Sequence, residues 1–300
     1  MNHLITTADY TIEDIASILK RAKLIKEKGY QITLKNKIIA TLFFEPSTRT
    51  RLSFESAIHR AGGNVIGFSN AKSTSQSKGE SLEDTIKMVS AYADAIVMRH
   101  PDAGSAARAT TVSSVPIING GDGANAHPTQ TLVDLFAIQE ILGQIKDFTI
   151  TMVGDLTYSR VAHSLAQVLA SYPGVKQIWV SPGELKMPDK IRDFLRTKSV
   201  QVTELSEYES VLSKTDIFLM TRVQEERFED KSQYEKLKDN YILSLQQLKN
   251  AKASMKILSP LPRLYELPTS IDSTPFAYYF QQAADAVPVR AAILDYILNK

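Results

Sequence analysis

The sequence contains no cysteine and a single tryptophan. The lack of cysteine excludes disulfides, thiolate metal sites and cysteine nucleophiles, and it fits a reducing cytoplasm. The sequence also lacks an apolar run of the ~20 residues that a membrane-spanning helix needs. Its first residues do not show the basic-then-apolar pattern of a signal peptide. We therefore expect a cytoplasmic protein with no membrane partner.

Neither sign of charge predominates in the chain. There are 35 Lys and Arg residues against 33 Asp and Glu residues, which gives a formal net charge of +2. Proteins that bind nucleic acid over a broad surface carry a clear excess of basic residues. We therefore expect no nucleic-acid partner, and any positive site must be local.

Segments typical of strands and helices alternate along the 300 residues, a length that suits two domains. Thr11 and Asp14 form a candidate capping pair before a helical apolar pattern, and Gly29 is a candidate stop. Strands are predicted at 37–44, 65–68, 95–98, 115–118, 149–153, 177–180, 200–203, 216–220 and 255–258. This alternation predicts an α/β fold with two doubly wound parallel-sheet domains.

A long predicted helix at 129–142 separates two groups of strands. We place the first domain at 1–128 plus 285–300 and the second domain at 129–284. The last predicted helix, at 286–298, is then expected to pack on the first domain.

Clusters of polar residues follow the predicted strands. They are EPSTRTR (45–51), RHP (99–101), NGGDGANAHPTQ (119–130), GDLTYSR (154–160), TRVQ (221–224) and SPLPR (259–263). Ligands of open α/β sheets bind beyond the carboxyl ends of the strands. We therefore expect the active site in the cleft between the two domains.

The stretch STRTR is predicted to lie at the start of a helix, because an apolar face of helical spacing follows it and ends at Gly62. Helix starts bind anions through free N–H groups and the helix dipole. A serine cap with solvent-facing arginines is an alternative that the residues leave open. The spacing of a Walker loop is absent, and no G-x-G-x-x-G follows a strand, so we expect no nucleotide cofactor.

Several motifs together identify a family resemblance. In order along the chain, FFEPSTRTRLSFE, VMRHP, GDGANAHPTQTLVDLF and SPLPR resemble the carbamoyltransferases. SKGESLEDT, GDLTYSRVAHSL, MTRVQEER and TPFAYYFQQA are similar to the catalytic chains of the aspartate carbamoyltransferases. The resemblance covers nearly the whole chain. It implies transfer of the carbamoyl group of carbamoyl phosphate to the amine of L-aspartate.

The resemblance implies a carbamoyl phosphate site on the first domain. The residues that it assigns to this site are Ser47, Thr48, Arg49, Thr50, Arg99, His127, Gln130, Pro260 and Leu261. Arg99 is expected to bridge the phosphate and the carbonyl oxygen, and His127 with Thr50 to polarise that carbonyl. Gln130 and the backbone carbonyls of Pro260 and Leu261 are expected to bind the amide nitrogen. Neither a metal nor a cofactor is implied.

The resemblance also implies an aspartate site made by Arg160, Arg222 and Gln224. Two carboxylates require at least two well-placed cations, and arginine binds a carboxylate with two parallel N–H donors. Glu45 is expected to orient these arginines, with a plain strand-end carboxylate as the alternative.

The segment 72–81 is typical of a flexible surface loop by composition. In the family this loop reaches the site of the adjacent chain, where Thr74 or Ser75 contacts the phosphate and Lys78 contacts phosphate and aspartate. The resemblance therefore implies a cyclic homotrimer with shared active sites. Whether regulatory chains bind the trimer is left open by the sequence.

One departure from the family concerns Ser259, which stands where the family usually has histidine. This departure is the support for one alternative, a catalytically silent paralogue that binds carbamoyl phosphate. A second alternative is an ornithine carbamoyltransferase. That branch carries a cysteine in its H-C-L-P stretch, and this chain has none.

Overall fold

In the computed structural model, the chain divides into two compact units, Met1–Phe136 with Ala284–Lys300 and Ala137–Ala283. The structure describes residues 2–70, 74–225, 228, 230–237 and 241–299. Residues 72 and 73, at the start of the predicted loop 72–81, lie outside the described residues. Every predicted site residue lies inside them.

The first unit contains a four-stranded sheet in which all strands are parallel. Its elements in chain order are α1 (Ile12–Lys28), β1 (Ile38–Phe43), α2 (Thr48–Arg60), β2 (Asn64–Phe68), α3 (Leu82–Ser90), β3 (Ala95–His100), α4 (Ser105–Thr110) and β4 (Ile117–Asp122). The strand order is β2-β1-β3-β4. Successive residues of β3, such as Ile96 and Val97, are 0% exposed, so both faces of the sheet are covered.

The helix α5 (Pro128–Leu142) follows β4, and the division between the units falls inside it, after Phe136. The predicted domain boundary stands at the start of this helix instead. The first half of α5 groups with the first unit because it packs there. Phe136 is 1% exposed, and the Lys26 ammonium of α1 lies 5.3 Å from the centre of its ring.

The second unit contains a five-stranded parallel sheet with the order β7-β6-β5-β8-β9. Its elements are β5 (Thr149–Val153), α6 (Arg160–Leu169), β6 (Lys176–Val180), α7 (Asp189–Thr197), β7 (Val202–Leu205), β8 (Ile217–Met220), α8 (Lys231–Leu237), α9 (Leu245–Leu248) and β9 (Lys256–Leu258). Each predicted strand is present, with ends that differ by a few residues. The predicted class of two parallel-sheet α/β domains is confirmed.

The start of α1 follows the predicted chemistry. The Thr11 side chain accepts a hydrogen bond from Asp14 N at 3.1 Å, and the Asp14 carboxylate accepts one from Thr11 N at 3.1 Å. Gly29 caps the other end with φ 81°. Both the capping pair and the stop are therefore confirmed.

The last helix, α10 (Tyr279–Leu298), begins earlier than the predicted residue 286. Pro288 is typical of a first helical turn, yet here it lies inside the helix. Two ion pairs join the later part of α10 to α1 in the first unit: Arg21 with Asp295, and Lys26 with Asp285 at 2.9 Å. Among the described residues, no helix combines the length and apolar character required to cross a bilayer.

The ends of β5 and β8 approach each other so closely that only glycine fits between them. Gly154 follows β5 with φ 111°, and a Cβ atom there would lie 2.0 Å from the carbonyl oxygen of Thr221, which follows β8. The Thr221 hydroxyl donates to Val153 O at 2.8 Å and fixes this approach. The positions of both loops therefore depend on glycine at residue 154, which has no side chain.

We predict that Gly154→Ala lowers the free energy of unfolding by ~2 kcal/mol or more, because the new methyl group clashes with backbone and the φ angle strains alanine. Gly183→Ala is the matched control, since a Cβ there meets no described heavy atom within 4 Å. Urea unfolding of both variants measures the difference. Equal stability of the two variants would contradict the close approach.

Candidate active site

The order of the strands in the first unit defines where a ligand can bind. The chain moves from β1 to β2 on one side and later to β3 and β4 on the other, so β1 and β3 flank the topological switch point. Ligands of open α/β sheets bind in the crevice beyond such a point. Arg99 of β3 lies in register with Phe43 at the end of β1, and Phe44 N donates to Arg99 O at 2.9 Å. Arg99 therefore lies beside the STRTR stretch.

The STRTR stretch forms the start of α2, as predicted. Ser47 occupies the N-cap position, and α2 begins at Thr48. The Ser47 side chain makes no capping hydrogen bond with the residues that the structure describes, unlike the cap of α1. Thr48 and Arg49 are exposed and Thr50 is buried. An uncapped start of a 13-residue helix, with arginine and hydroxyl side chains around it, can bind an anion.

Glu45 pairs with Arg99, an arginine that sequence reasoning did not assign to it. The Arg99 Nε donates to Glu45 Oε1 at 2.7 Å, and both side chains are mostly covered. Glu45 was expected to orient the arginines of the aspartate site. The geometry shows that Glu45 orients Arg99 in the first unit, because the two residues stand at the ends of adjacent strands. Its action on the arginines of the aspartate site stays a prediction.

His127 lies next to the start of α2. Its Nε2 is 3.5 Å from the Thr50 hydroxyl, and its Nδ1 is 3.4 Å from the Thr129 hydroxyl. Both His127 and Thr50 are nearly fully buried. The structure thus brings together Thr50 and His127, which the sequence assigned to the same carbonyl. Gln130, one turn later, donates to Asp134 Oδ1 at 2.8 Å.

The loop before His127 is organised by Asp122, which sequence reasoning did not single out. This carboxylate is 1% exposed and accepts hydrogen bonds at 2.9 to 3.1 Å. Its donors are Gly104 N, Asn119 Nδ2, Asn125 Nδ2 and Ala126 N. The signal in the sequence was an aspartate between two glycines at the end of a strand, where a buried carboxylate can accept from several N–H groups.

The candidate loop residues Thr74 and Lys78 lie on a 3₁₀ turn, Ser75–Lys78, in the first unit. The Thr74 hydroxyl accepts from Gln76 N at 3.3 Å, and Lys78 is exposed. Their contact with an adjacent chain stays a prediction.

In the second unit the switch point lies between β5 and β8, since the chain leaves β5 toward β6 on one side and returns to β8 on the other. Arg160 follows β5 as the first residue of α6, and Arg222 follows β8. The hydroxyl of Ser159 caps α6 by accepting from Ala162 N at 3.3 Å, which fixes the residue next to Arg160. Both predicted aspartate-site arginines therefore follow the strands that flank this switch point.

Asp155 joins the two loops at this point and was also missed. It is 0% exposed and accepts from Tyr158 N at 2.9 Å on its own loop. Burial raises the pKa of its carboxyl, while hydrogen bonds from Tyr158, Gln224 and Thr157 act in the opposite direction. Gln224, the predicted neutral donor of this site, therefore lies close to the Asp155 carboxyl.

Glu266 is a buried carboxylate near Arg222. Burial raises its pKa, and the charges of Arg222 and Arg263 oppose this rise. Glu266 also accepts hydrogen bonds from Leu264 N. Glu266 therefore lies close enough to Arg222 for their charges to interact.

The SPLPR stretch follows β9 in the second unit, so Pro260 and Leu261 belong to a different unit from the other residues assigned to carbamoyl phosphate. Ser259 is 5% exposed, and its hydroxyl accepts from Leu261 N at 3.2 Å. Ser259 N donates to Gln282 Oε1 of α10 at 2.9 Å. The residue that departs from the family thus closes a local turn and fixes the two backbone carbonyls that follow it.

Arg263 secures the other end of SPLPR. Its guanidinium binds both carboxylate oxygens of Asp272, one of them at 2.7 Å, and donates to the Tyr279 hydroxyl at 3.0 Å. These donors lower the pKa of Asp272. Arg263 therefore has structural partners already, and sequence reasoning gave it no role in binding.

The described residues include no group of three or more His, Cys, Asp or Glu side chains arranged to bind a metal ion. The two switch points define the class of protein: an α/β protein with basic side chains beyond the switch point of each parallel sheet. A family model for the carbamoyl-P binding domain of aspartate/ornithine carbamoyltransferases matches residues 2–140, and the model for the Asp/Orn binding domain matches residues 146–297. The chain belongs to the aspartate/ornithine carbamoyltransferase family.

Proteins similar to this chain match it over nearly its whole length. The aspartate carbamoyltransferase catalytic subunit of Thermococcus kodakarensis is 50% identical over 300 residues, which cover 99% of this chain and 96% of that one. The solved catalytic subunit of M. jannaschii aspartate transcarbamoylase is 43% identical with a TM-score of 0.91, over 100% of this chain and 98% of that one. Aspartate transcarbamoylase from Trypanosoma cruzi, in complex with N-(phosphonacetyl)-L-aspartic acid, is 33% identical with a TM-score of 0.90, over 99% and 95%. The family resemblance is confirmed.

We predict that Ser259→Ala lowers the free energy of unfolding by ~1 kcal/mol and speeds hydrogen exchange of the Leu261 amide, because that N–H loses its acceptor. Ser113→Ala is the matched control, since the Ser113 hydroxyl accepts from Val115 N at 3.2 Å with the same sequence spacing. Exchange measured by NMR should change at residue 261 in one variant and at residue 115 in the other. Unchanged exchange at Leu261 would refute this turn.

Proposed function

We propose that the chain is the catalytic chain of an aspartate carbamoyltransferase, which converts carbamoyl phosphate and L-aspartate to N-carbamoyl-L-aspartate and phosphate. The observation that carries the proposal is the set of basic side chains beyond the switch point of each sheet. Arg49 and Arg99 suit a phosphate in the first unit, and Arg160 and Arg222 suit a dicarboxylate in the second. The relatives that match over the whole chain carry this name.

In this proposal the start of α2 binds the phosphate of carbamoyl phosphate. Ser47, Thr48, Arg49 and Thr50 supply N–H, hydroxyl and guanidinium donors there. The uncapped Ser47 supports this role, because a serine that only ended the helix would accept a hydrogen bond from the first turn. Arg99, oriented by Glu45, bridges the phosphate and the carbonyl oxygen. Its bond to Glu45 fixes the direction in which its other N–H groups point.

His127, Thr50 and Arg99 stabilise the negative charge that develops on the carbonyl oxygen when the amine attacks. The close approach of His127 and Thr50 supports a common target for both side chains. Donors that are fixed before the reaction contribute most to such stabilisation, because no reorganisation is needed as charge develops. The buried loop around Asp122 supplies that rigidity for His127.

The amide nitrogen of the carbamoyl group is bound by Gln130 and by the backbone carbonyls of Pro260 and Leu261. Since Gln130 Nε2 donates to Asp134, its side-chain oxygen is directed away from that carboxylate and can accept from the substrate amide. The Ser259 turn supports the assignment of the two carbonyls, because it restrains the backbone that carries them.

Aspartate is bound in the second unit by Arg160, Arg222 and Gln224. The half-buried Arg222 supports selection of a second carboxylate over the amine of ornithine, because a guanidinium binds a carboxylate with two parallel N–H donors. Asp155 lies close to Gln224 and can orient it. An ornithine site would instead require an anion for the side-chain amine.

The transfer forms a bond between the aspartate nitrogen and the carbamoyl carbon. The bond from that carbon to the bridging phosphate oxygen breaks, and phosphate leaves with the electron pair. The proton that the amine loses passes to the departing phosphate. Binding both substrates in one geometry supplies much of the rate, because the bimolecular encounter is replaced by a step within the complex.

We further propose that this reaction serves pyrimidine biosynthesis in the cytoplasm and that the chain forms a cyclic homotrimer. Thr74 and Lys78 then complete the site of the adjacent chain. The exposed position of Lys78 at the end of a short turn supports this role. The lack of cysteine fits a cytoplasmic location.

Arg222→Ala is expected to abolish aspartate use while sparing carbamoyl phosphate affinity. Removal of a carboxylate partner should cost about 2–5 kcal/mol in aspartate binding. Product formation is measured with aspartate and, separately, with ornithine, and carbamoyl phosphate binding by calorimetry. The wild type should carbamoylate aspartate and not ornithine.

Arg192→Ala is the matched control for this experiment, because Arg192 forms ion pairs with Asp189 and Glu204 elsewhere in the same unit. Ion pairs of this exposed kind contribute ~1 kcal/mol or less. The control should keep the aspartate kinetics of the wild type. A wild type that turns over ornithine, or an Arg222 variant that loses both substrates equally, would overturn the assignment.

Arg49→Ala and Lys78→Ala variants, each inactive alone, should recover activity when mixed and reassociated. In a cyclic trimer each site joins the body of one chain to the loop of the next. With random exchange at equal amounts, about a quarter of the sites receive an intact body and an intact loop. Activity is assayed after exchange has been verified by mass. Mixtures no more active than their parents would place Lys78 outside a shared site.

A further inference from the structure

The first unit buries an arginine that none of the assigned roles uses. Arg290 lies on α10 and is 1% exposed, which makes it one of the largest fully buried side chains of the chain. Burying a guanidinium is costly unless partners compensate for the lost water. The partners of Arg290 therefore indicate why the charge is there.

Those partners belong to the proposed carbamoyl phosphate site. The Arg290 Nη1 donates to the carbonyl oxygen of Arg49 at 3.3 Å, and its guanidinium carbon lies 5.0 Å from the centre of the Phe54 ring. The Ser53 hydroxyl donates to the same Arg49 carbonyl. Two side-chain donors thus meet on one carbonyl in the first turn of α2.

Anchoring this carbonyl orients the donor on the opposite side of the same peptide. The carbonyl of Arg49 and the N–H of Thr50 belong to one planar unit and point in opposite directions. In a helix the N–H groups of the first turn point out of the helix start. Fixing the carbonyl therefore fixes the Thr50 N–H toward the place where the phosphate is proposed to bind.

Charges around Arg290 come from the same site. Burial lowers the pKa of Arg290 to about 9, with further lowering by the charges of Arg99 and Arg49, whereas Asp134 opposes the change. The guanidinium is therefore still protonated at neutral pH. Asp134 in turn accepts a hydrogen bond from Gln130. The charge of Arg290 therefore interacts with both phosphate-site arginines and with the carboxylate that orients Gln130.

We infer that Arg290 is a positioning residue of the anion site: it fixes the start of α2 through the Arg49 carbonyl and adds a buried positive charge behind the bound phosphate. It does not contact the substrate in this arrangement. The inference rests on the proposed function, in that a phosphate group must bind at the start of α2. The guanidinium groups of Arg49, Arg99 and Arg290 repel one another, and a bound dianion relieves that repulsion.

The test compares Arg290→Met and Arg290→Lys with the wild type, using inorganic phosphate and carbamoyl phosphate as probes in calorimetry. Arg290→Met removes both the charge and the donor and should weaken binding of both probes about tenfold or more. Arg290→Lys keeps the charge on a shorter donor and should weaken binding about threefold to fivefold. The KM for carbamoyl phosphate should rise in parallel, while the KM for aspartate stays within about twofold of the wild-type value.

Arg21→Met is the matched control, because Arg21 joins α1 to α10 through Asp295 on the same helix. The Arg21→Met change removes this partly buried ion pair of α10 and should lower thermal stability without changing phosphate affinity. A purely structural role for Arg290 predicts the same behaviour for Arg290→Met. The rise in melting temperature on adding phosphate distinguishes a positioning role from a purely structural one, because this rise should become smaller only in the Arg290 variants.

Unchanged phosphate affinity in a folded Arg290→Met protein would overturn the inference, as would an equal loss in Arg21→Met. If Arg290→Met does not fold, Arg290→Lys decides alone: an affinity equal to that of the wild type then overturns it. A wild type that binds neither phosphate nor carbamoyl phosphate refutes the proposed function instead, so the two failures are distinguishable.

Discussion

The parallel pairing of β1 with β3 in one sheet, and of β5 with β8 in the other, is the constraint on which the rest of the structure depends. Each pair lies where the crossovers diverge to opposite sides, so the crevice beyond the strand ends is not covered by a connection. The helix start after β1 and the arginine at the end of β3 are neighbours for this reason alone. The same geometry places the loops of Arg160 and Arg222 beyond adjacent strands.

Buried carboxylates convert these strand ends into rigid sites. Asp122 is the last residue of β4 and accepts hydrogen bonds from several N–H groups beside it, and Asp155 follows β5 and accepts one from Tyr158 N. A carboxylate can accept several hydrogen bonds at once. It can therefore bind N–H groups of a short loop that have no backbone acceptor. Electrostatic stabilisation of a reaction requires such fixed donors, because mobile ones would have to reorganise as charge develops. The proposed transfer therefore depends on residues that contact no substrate.

Much of the fold and part of the site could be predicted from single residues and their spacing. The capping pair at Thr11 and the stop at Gly29 are local, and the structure shows both. The start of α10 was predicted too late, at residue 286 rather than Tyr279, and Pro288 lies inside this long helix. The partner of Glu45 was also missed. It is Arg99, more than fifty residues away along the chain, and only the pairing of their strands makes them neighbours.

The sequence by itself determined the α/β class, the alternation of strands and helices, and the candidate residues at the strand ends. These features follow from local patterns of apolar and polar residues. The family motifs imply the roles of the candidate residues. Only the tertiary structure decided the strand order, and with it which ends flank a switch point. It also decided that Ser259 closes a turn and that Arg290 lies under the start of α2. The physical reason is that pairing and burial join residues far apart in the chain, for which local spacing carries no signal.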